Sequence, residues 1–127
     1  MLPAGVRRIV PPGFTIGCSV HTTAAVAARK AADFLVAGTV MPTASKSAVD
    51  YLYEDGLRRI VEAAAGQPVL GIGGLDRRSI PMLASARAAG MAAVGVFIPA
   101  AGASVSEFVQ KRVGELRFAL ESASPQN

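Results

Sequence analysis

The sequence predicts an α/β fold of four consecutive β-α units with parallel strands, and three observations carry that expectation. Apolar runs of strand length recur at 14–19, 34–39, 69–72 and 93–98. Each is followed by a stretch of helical pattern, most clearly at 54–65, where Leu57, Ile60, Val61 and Ala64 fall on one face at i, i+3, i+4 and i+7. The connections are short, and several strand ends carry glycine, hydroxyl or lysine residues. An alternating order of this kind implies a parallel sheet with right-handed crossovers. Two architectures satisfy it: an open sheet, or half of a (β/α) barrel whose closure needs eight strands.

Taken in order, residues 1–13 form a lead-in. Val6–Val10 has helical character, and Pro11-Pro12-Gly13 stops it. Phe14–Ser19 is the first expected strand. Thr22 or Thr23 caps an Ala-rich helix over about 24–32. Phe34–Thr39 is continuous and apolar, so both of its faces are expected to be buried. A loop over 40–52 leads to the helix at 54–65, which Gly66 ends and Pro68 keeps from resuming. Val69–Ile72 is the third strand. Asp76 or Ser79 caps the next helix, with Pro81 in its first turn, where a missing donor costs little; the helix runs to Ala89. Ala93–Ile98 is the fourth strand. Ser104-Val105-Ser106-Glu107 has the capping-box pattern and opens a last helix with Val105, Phe108, Val109, Val113, Leu116 and Leu120 on its apolar face. The tail from Ser122 is expected to fray. The chain is read as a single domain, 1–127.

Composition narrows the function classes. Half the residues are hydrophobic, enough for a core, and aromatics are scarce. The formal charge is +4, but the basic residues are dispersed in pairs such as Arg58-Arg59 and Arg77-Arg78, without aromatic interleaving. That argues against a nucleic-acid partner. A lone cysteine, Cys18, excludes an internal disulfide and suits a reducing cytoplasm; inside an apolar run it is expected to be a small core residue. No secretory leader pattern and no membrane-length apolar run is seen.

The most chemically loaded stretch is Val40-Met41-Pro42-Thr43-Ala44-Ser45-Lys46, after the second strand. Thr43 and Ser45 can donate to an oxyanion, and Lys46 adds a mobile positive charge. At the carboxyl end of a parallel strand, such a loop suits a phosphate, pyrophosphate or carboxylate. Its plain alternative is a solvated polar loop. Two further strand ends support the ligand reading: Gly17-Cys18-Ser19-Val20-His21-Thr22 and Leu70-Gly71-Ile72-Gly73-Gly74. The latter lacks the G-x-G-x-x-G spacing of a dinucleotide site.

These motifs, with Ala32-Asp33-Phe34, Gly38-Thr39 and Val94-Gly95-Val96, occur in an order and spacing that closely resembles the thiamine phosphate synthase / TenI superfamily. The resemblance spans about 9–98 and matches the C-terminal half of that family's TIM (β/α)8 barrel, strands five to eight. It implies a transferase of thiamine biosynthesis that joins a pyrimidine methyl pyrophosphate to a thiazole phosphate and releases pyrophosphate. The carbon–pyrophosphate bond ionises first and the thiazole nitrogen captures the cation, so the protein's task is electrostatic preorganisation away from water.

Carried over by motif, Ser19 contacts the pyrimidine or its pyrophosphate, Thr43 and Ser45 hold the thiazole phosphate, and Lys46 stabilises the departing pyrophosphate. The amides around Gly73 and Gly74 hold the phosphate, since a backbone without Cβ atoms can approach an anion closely. His21 is catalytic in a second reading, the TenI-like tautomerase, where a histidine at this place transfers protons on the thiazole. A third reading is a non-catalytic phosphate-binding half-barrel.

The sequence departs from the family in two ways. Phe97 and Ile98 stand where the family usually has a serine that helps hold the thiazole phosphate. Mg2+ is expected for the full-length family, but its carboxylates and a basic pyrophosphate motif belong to the N-terminal half-barrel. No residue here is therefore assigned to metal, and synthase turnover by this half alone is not expected. The strand edges are expected to find a partner, either a homodimer mate or a complementing N-terminal half.

Overall fold

The computed structural model describes residues 2–43 and 50–123. Four parallel strands, β1 (Gly17–Val20), β2 (Phe34–Ala37), β3 (Val69–Ile72) and β4 (Gly90–Ala92), form one sheet in the order β1-β2-β3-β4. The helices are α1 (Pro3–Arg7), α2 (Thr23–Ala27), α3 (Tyr53–Ala64), α4 (Ile80–Ser85) and α5 (Val105–Ala123), with 3-10 turns at Arg77–Ser79 and Gly95–Phe97. None of the described helices is long and apolar enough to cross a membrane.

The strand order decides between the two architectures. Spatial order follows sequence order without reversal, and right-handed crossovers then put every connecting helix on the same side. A doubly wound sheet reverses its order and carries helices on both faces. Here α2 packs on α3, α3 on α4 and α4 on α5, a single continuous layer. The register pairs Cys18 with Leu35, Val20 with Ala37, Leu35 with Val69 and Ala37 with Gly71, so these residues share one face. That face is the core: Val20, Leu35, Ala37 and Val69 are buried in one cluster with Val26, Leu57, Ile60 and Leu83 of the helices. Each fully buried Val, Leu or Ile side chain contributes about 1.5–3 kcal/mol by leaving water.

The opposite face is a correction to the expectation for the second strand. Gly17, Ser19, Phe34, Val36, Leu70 and Ile72 lie on it, and all are half-buried or exposed. Phe34–Ala37 is apolar throughout because both faces of a barrel strand are inward-facing in different senses, one to helices and one to the barrel interior. In this half-barrel only the helix side is covered.

Local chemistry sets the elements. Thr22 caps α2, its Oγ1 accepting from the Ala25 amide at 3.3 Å. Asp76 and Ser79 exchange side chain–backbone bonds as a capping box ahead of α4, and Pro81 sits in the first turn of α4. Glu54 and Asp55 occupy the first turn of α3, where acidic groups offset the helix dipole. Glu54 also accepts from Ser85 Oγ at 2.7 Å, joining α3 to α4. Gln67 Nε2 donates to the Ala32 carbonyl at 2.7 Å, tying the end of α3 to the entry of β2.

Several boundaries differ from the sequence expectation. β1 begins at Gly17, not Phe14, whose ring is 55% exposed. α1 covers Pro3–Arg7 and not the stretch from Val6 to Val10, because Pro3 is favourable at a helix start. α2 and α4 are shorter than expected. β4 is Gly90–Ala92, and the expected strand Ala93–Ile98 is instead loop and 3-10 turn. Its valines carry β propensity, but Ala92 is the last residue in register with β3. α5 buries its expected apolar stripe only partly: Leu116 is buried, whereas Val105 and Val113 are 62% and 38% exposed.

Candidate functional site

The carboxyl ends of the four strands surround one cavity of about 720 Å3. β1 brings Ser19 on the concave face, and His21 follows immediately. His21 Nδ1 bonds the Gly38 carbonyl oxygen, which is only an acceptor, so Nδ1 carries the proton and donates. Nε2 is thereby left as the ring's unprotonated nitrogen in the neutral form.

Beyond β2, the residues that leave the strand are tied to those that enter α3. Leu52 N donates to Thr39 O and Tyr53 N to Val40 O, each at 2.9 Å. Thr43, six residues beyond β2, lines the cavity. Ser45 and Lys46 lie outside the described residues.

The end of β3 is fitted against the end of β2. Val40 N donates to Ile72 O at 2.9 Å and Met41 N to Gly73 O at 3.0 Å. Gly73 has φ +99 and Gly74 φ +64, a region that favours glycine. A Cβ on Gly74 would meet Met41 O at 2.6 Å, so the backbones touch where side chains would otherwise sit. Both glycines line the cavity. The turn that follows is held by Asp76, whose Oδ1 accepts from the Arg78 amide at 2.8 Å. The hydrogen-bonded Arg78 side chain keeps the Asp76 carboxyl below its ordinary value.

The structure thus brings Ser19, His21, Thr43, Gly73, Gly74 and Ile98 to one cavity. Phe97 is a correction: it lines a separate groove between β4 and α5. Its neighbours Val96 and Ile98 line the cavity, and Phe97, between them, faces the groove on the other side. Val36 and Leu75 also line the cavity and were not singled out in the sequence, whereas Thr39, Ile72, Val94 and Val96, which line it too, stood in the quoted motifs without an assigned role. Period-two alternation from Ser19, through its register partner Val36, would have found Val36.

The lining of the cavity therefore combines hydroxyls, an imidazole and glycine backbone with aliphatic side chains. That arrangement suits an anion carried on an apolar or aromatic body. A magnesium ion takes oxygen ligands, commonly carboxylates. Among the described residues no Asp or Glu lines the cavity, and no three His, Cys, Asp or Glu side chains gather as a metal group. The described residues do not fit a magnesium site.

A singly wound parallel sheet, one helical layer and a cavity at the carboxyl strand ends define a protein of the (β/α)-barrel class, here in a four-stranded half. The comparisons agree and are more specific: the family model described as thiamine monophosphate synthase matches residues 1–97, and the chain belongs to that family. It is 37% identical over 122 residues to a thiamine-phosphate synthase of Pyrococcus abyssi, covering 94% of this chain and 56% of that protein. It is 37% identical over 121 residues to the thiamine biosynthesis bifunctional protein ThiM/ThiE of Symbiobacterium thermophilum, covering 25% of the latter. The solved thiamine phosphate pyrophosphorylase from Pyrococcus furiosus superposes with a TM-score of 0.74 at 32% identity, over 97% of this chain and 56% of that one. The chain spans about half the length of the Pyrococcus proteins it matches.

Proposed function

We propose that this half-barrel carries the thiazole-phosphate and leaving-group portion of a thiamine phosphate synthase site. The substrates on this reading are a thiazole phosphate and a pyrimidine methyl pyrophosphate. Thr43, Ser45 and the amides of Gly73 and Gly74 hold the thiazole phosphate. Ser19 orients the pyrimidine or its pyrophosphate, and Lys46 neutralises charge on the pyrophosphate as the carbon–oxygen bond breaks. The aliphatic wall formed by Val36, Ile72 and Val94 keeps water from the cation before the thiazole nitrogen reaches it. The carrying observation is the shared cavity: Ser19, Thr43, Gly73 and Gly74 come from three different strand ends and line one space. Ile98 lines it too, and supplies apolar contact where the family's serine hydroxyl is lost.

The chain alone binds thiazole phosphate or pyrophosphate weakly and does not turn over, because the described residues offer no magnesium carboxylates. Titration calorimetry of the 127-residue chain with thiazole phosphate and with pyrophosphate, beside a coupling assay with both substrates, tests this. Absence of binding to either anion removes the half-site, and robust turnover removes the claim of incompleteness.

A second reading, a thiazole tautomerase, is favoured by His21. With Nδ1–H committed to Gly38 O, Nε2 is the nitrogen free to take a proton from a ligand in the cavity. Isomerisation of a thiazole carboxylate phosphate that is abolished in His21→Asn would establish it.

A further inference from the structure

We infer that Thr39 is a further ligand-binding residue of the cavity, its hydroxyl donating to a terminal oxygen of the same phosphate that the Gly73 and Gly74 amides hold. The inference rests on the reading of those two glycines as a phosphate cradle. It adds a side-chain donor that sets selectivity for a phosphate ester over the corresponding free alcohol.

Thr39 stands apart in its burial. Among the described residues it is the one buried polar side chain, 8% exposed, and it lines the cavity. Its Oγ1 has no hydrogen-bond partner among the described residues, yet it is not sealed from solvent: the one described side-chain atom that is both sealed and unpartnered is Arg112 Nε. For a residue so deeply buried, the opening is the cavity it lines. Buried hydroxyls are ordinarily bonded, and one without a protein partner costs stability. A hydroxyl kept in that state points to a partner that arrives with the ligand.

The surrounding backbone fixes where that hydroxyl stands. On one side of Thr39, Gly38 N donates to Val20 O at 3.2 Å; on the other, Val40 N donates to Ile72 O at 2.9 Å. Thr39 O itself accepts from Leu52 N at 2.9 Å. The side chain is β-branched, so its χ1 is restricted. Its methyl is set against Gly73, where an added Cβ would meet Thr39 Cγ2 at 2.5 Å. Oγ1 shares its carbon with that methyl, so the hydroxyl is held beside the Gly73 backbone. A donor placed before the ligand arrives loses little rotamer entropy on binding.

That position selects the ligand group. Among the described residues, neither the Gly73 nor the Gly74 amide donates to a backbone carbonyl beyond the strand ladder. Both glycines and Thr39 line the one cavity, so two amides and a hydroxyl are grouped where β2 and β3 end. A phosphate ester carries three strongly accepting terminal oxygens and can take donors from separate directions. An alcohol offers a single neutral oxygen, whose hydrogen bonds are weaker. Ile98, on the β4 side of the cavity, brings no side-chain donor, which leaves Thr39 to supply one from the β2 side.

Calorimetric titration with thiazole phosphate and with the same thiazole alcohol, beside thermal melts, tests the inference on the parent chain, Thr39→Val and Thr39→Ser. Thr39→Val keeps the branched shape and removes the hydroxyl. It should weaken phosphate ester binding by about ten- to a hundredfold, the range for a hydrogen bond to a charged group. It should leave alcohol binding unchanged and the melting temperature equal to or above the parent's. Thr39→Ser keeps the hydroxyl and should bind the ester nearly as the parent does. Parent-like ester binding by Thr39→Val overturns the inference and leaves the phosphate cradle standing. Equal losses in Thr39→Val and Thr39→Ser overturn it too, since the methyl on Gly73 is then what matters. So do equal losses for ester and alcohol, or a lowered melting temperature in Thr39→Val, which mean a structural role. A parent that binds no ester removes the cradle reading, and the Thr39 inference with it. If Thr39→Val fails to fold, threonine-selective 13C spectra of the parent decide. The Thr39 Cβ resonance should move on adding the ester and hold still with the alcohol, and a resonance indifferent to both overturns the inference.

Discussion

His21, just beyond β1, donates from Nδ1 to the carbonyl oxygen of Gly38, just beyond β2. The bond crosses between neighbouring strand ends at the mouth of the cavity and sets which imidazole nitrogen is available. Ring 15N chemical shifts should therefore show the Nδ1–H tautomer in the neutral form; an Nε2–H pattern would discard the tether. His21→Asn retains a donor near the Nδ1 position and removes Nε2. It should leave thermal stability nearly unchanged and, under the tautomerase reading, slow proton transfer by about 10²–10⁴-fold. Under the synthase reading it should leave phosphate binding intact.

Two glycine-to-alanine changes should act with opposite sign. At Gly74 the new Cβ meets Met41 O at 2.6 Å and φ is +64, so the left-handed cost of about 1–2 kcal/mol adds to a clash with backbone. Loss of about 2–4 kcal/mol of stability is expected by urea titration, together with loss of anion binding. At Gly114, inside α5, nothing lies within 4 Å of the new Cβ. Gly114→Ala should stabilise by about 0.5–1 kcal/mol. A neutral Gly74→Ala would mean that the fitted strand ends are loosely held.

Lys46→Ala should weaken pyrophosphate binding by about 1–3 kcal/mol, the range for a charge-assisted contact. Thr43→Val, which removes a hydroxyl at similar volume, should weaken thiazole phosphate more than pyrophosphate. Equal affinities in calorimetry for the parent and Lys46→Ala would take Lys46 out of the site.

The acid limb of stability should involve Asp33. Its Oδ2 accepts from Arg7 Nη2 at 2.8 Å and from the Ile16 amide at 2.6 Å. The Arg7 hydrogen bond, then the Ile16 amide, hold its carboxyl below the ordinary 3.8. The sign follows: the charged form is favoured in the folded chain, so the contribution is present above pH 3.8 and is lost as pH falls through the lower folded value. In Asp33→Asn the melting temperature should fall at neutral pH and vary less with pH below about 4. An unchanged acid limb would assign it to other carboxylates. Arg7→Ala should have a similar neutral-pH effect, because Arg7 also donates to Phe14 O at 2.7 Å and ties the lead-in to β1.

The sequence by itself determined the β-α alternation, and with it parallel strands and the gathering of loops at one end. It did so because apolar runs, the period of Leu57, Ile60 and Ala64, and the cap residues Thr22 and Asp76 are local signals that tertiary contacts here reinforce. The candidate site was legible to the extent that its residues lie at or beyond the carboxyl ends of strands. Ser19, His21, Thr43, Gly73 and Gly74 needed only the correct strand count to be placed together.

What the sequence left open depended on contacts between segments distant along the chain. The β1-β2-β3-β4 order, which separates a half-barrel from an open doubly wound sheet, lies in which strand pairs with which. The end of β4 at Ala92 depended on where register with β3 runs out. The exposure of Phe34 and Val36 was set by the absence of a covering layer on the concave face. An apolar run has the same composition whether one face is covered or both, so only the tertiary structure could decide it.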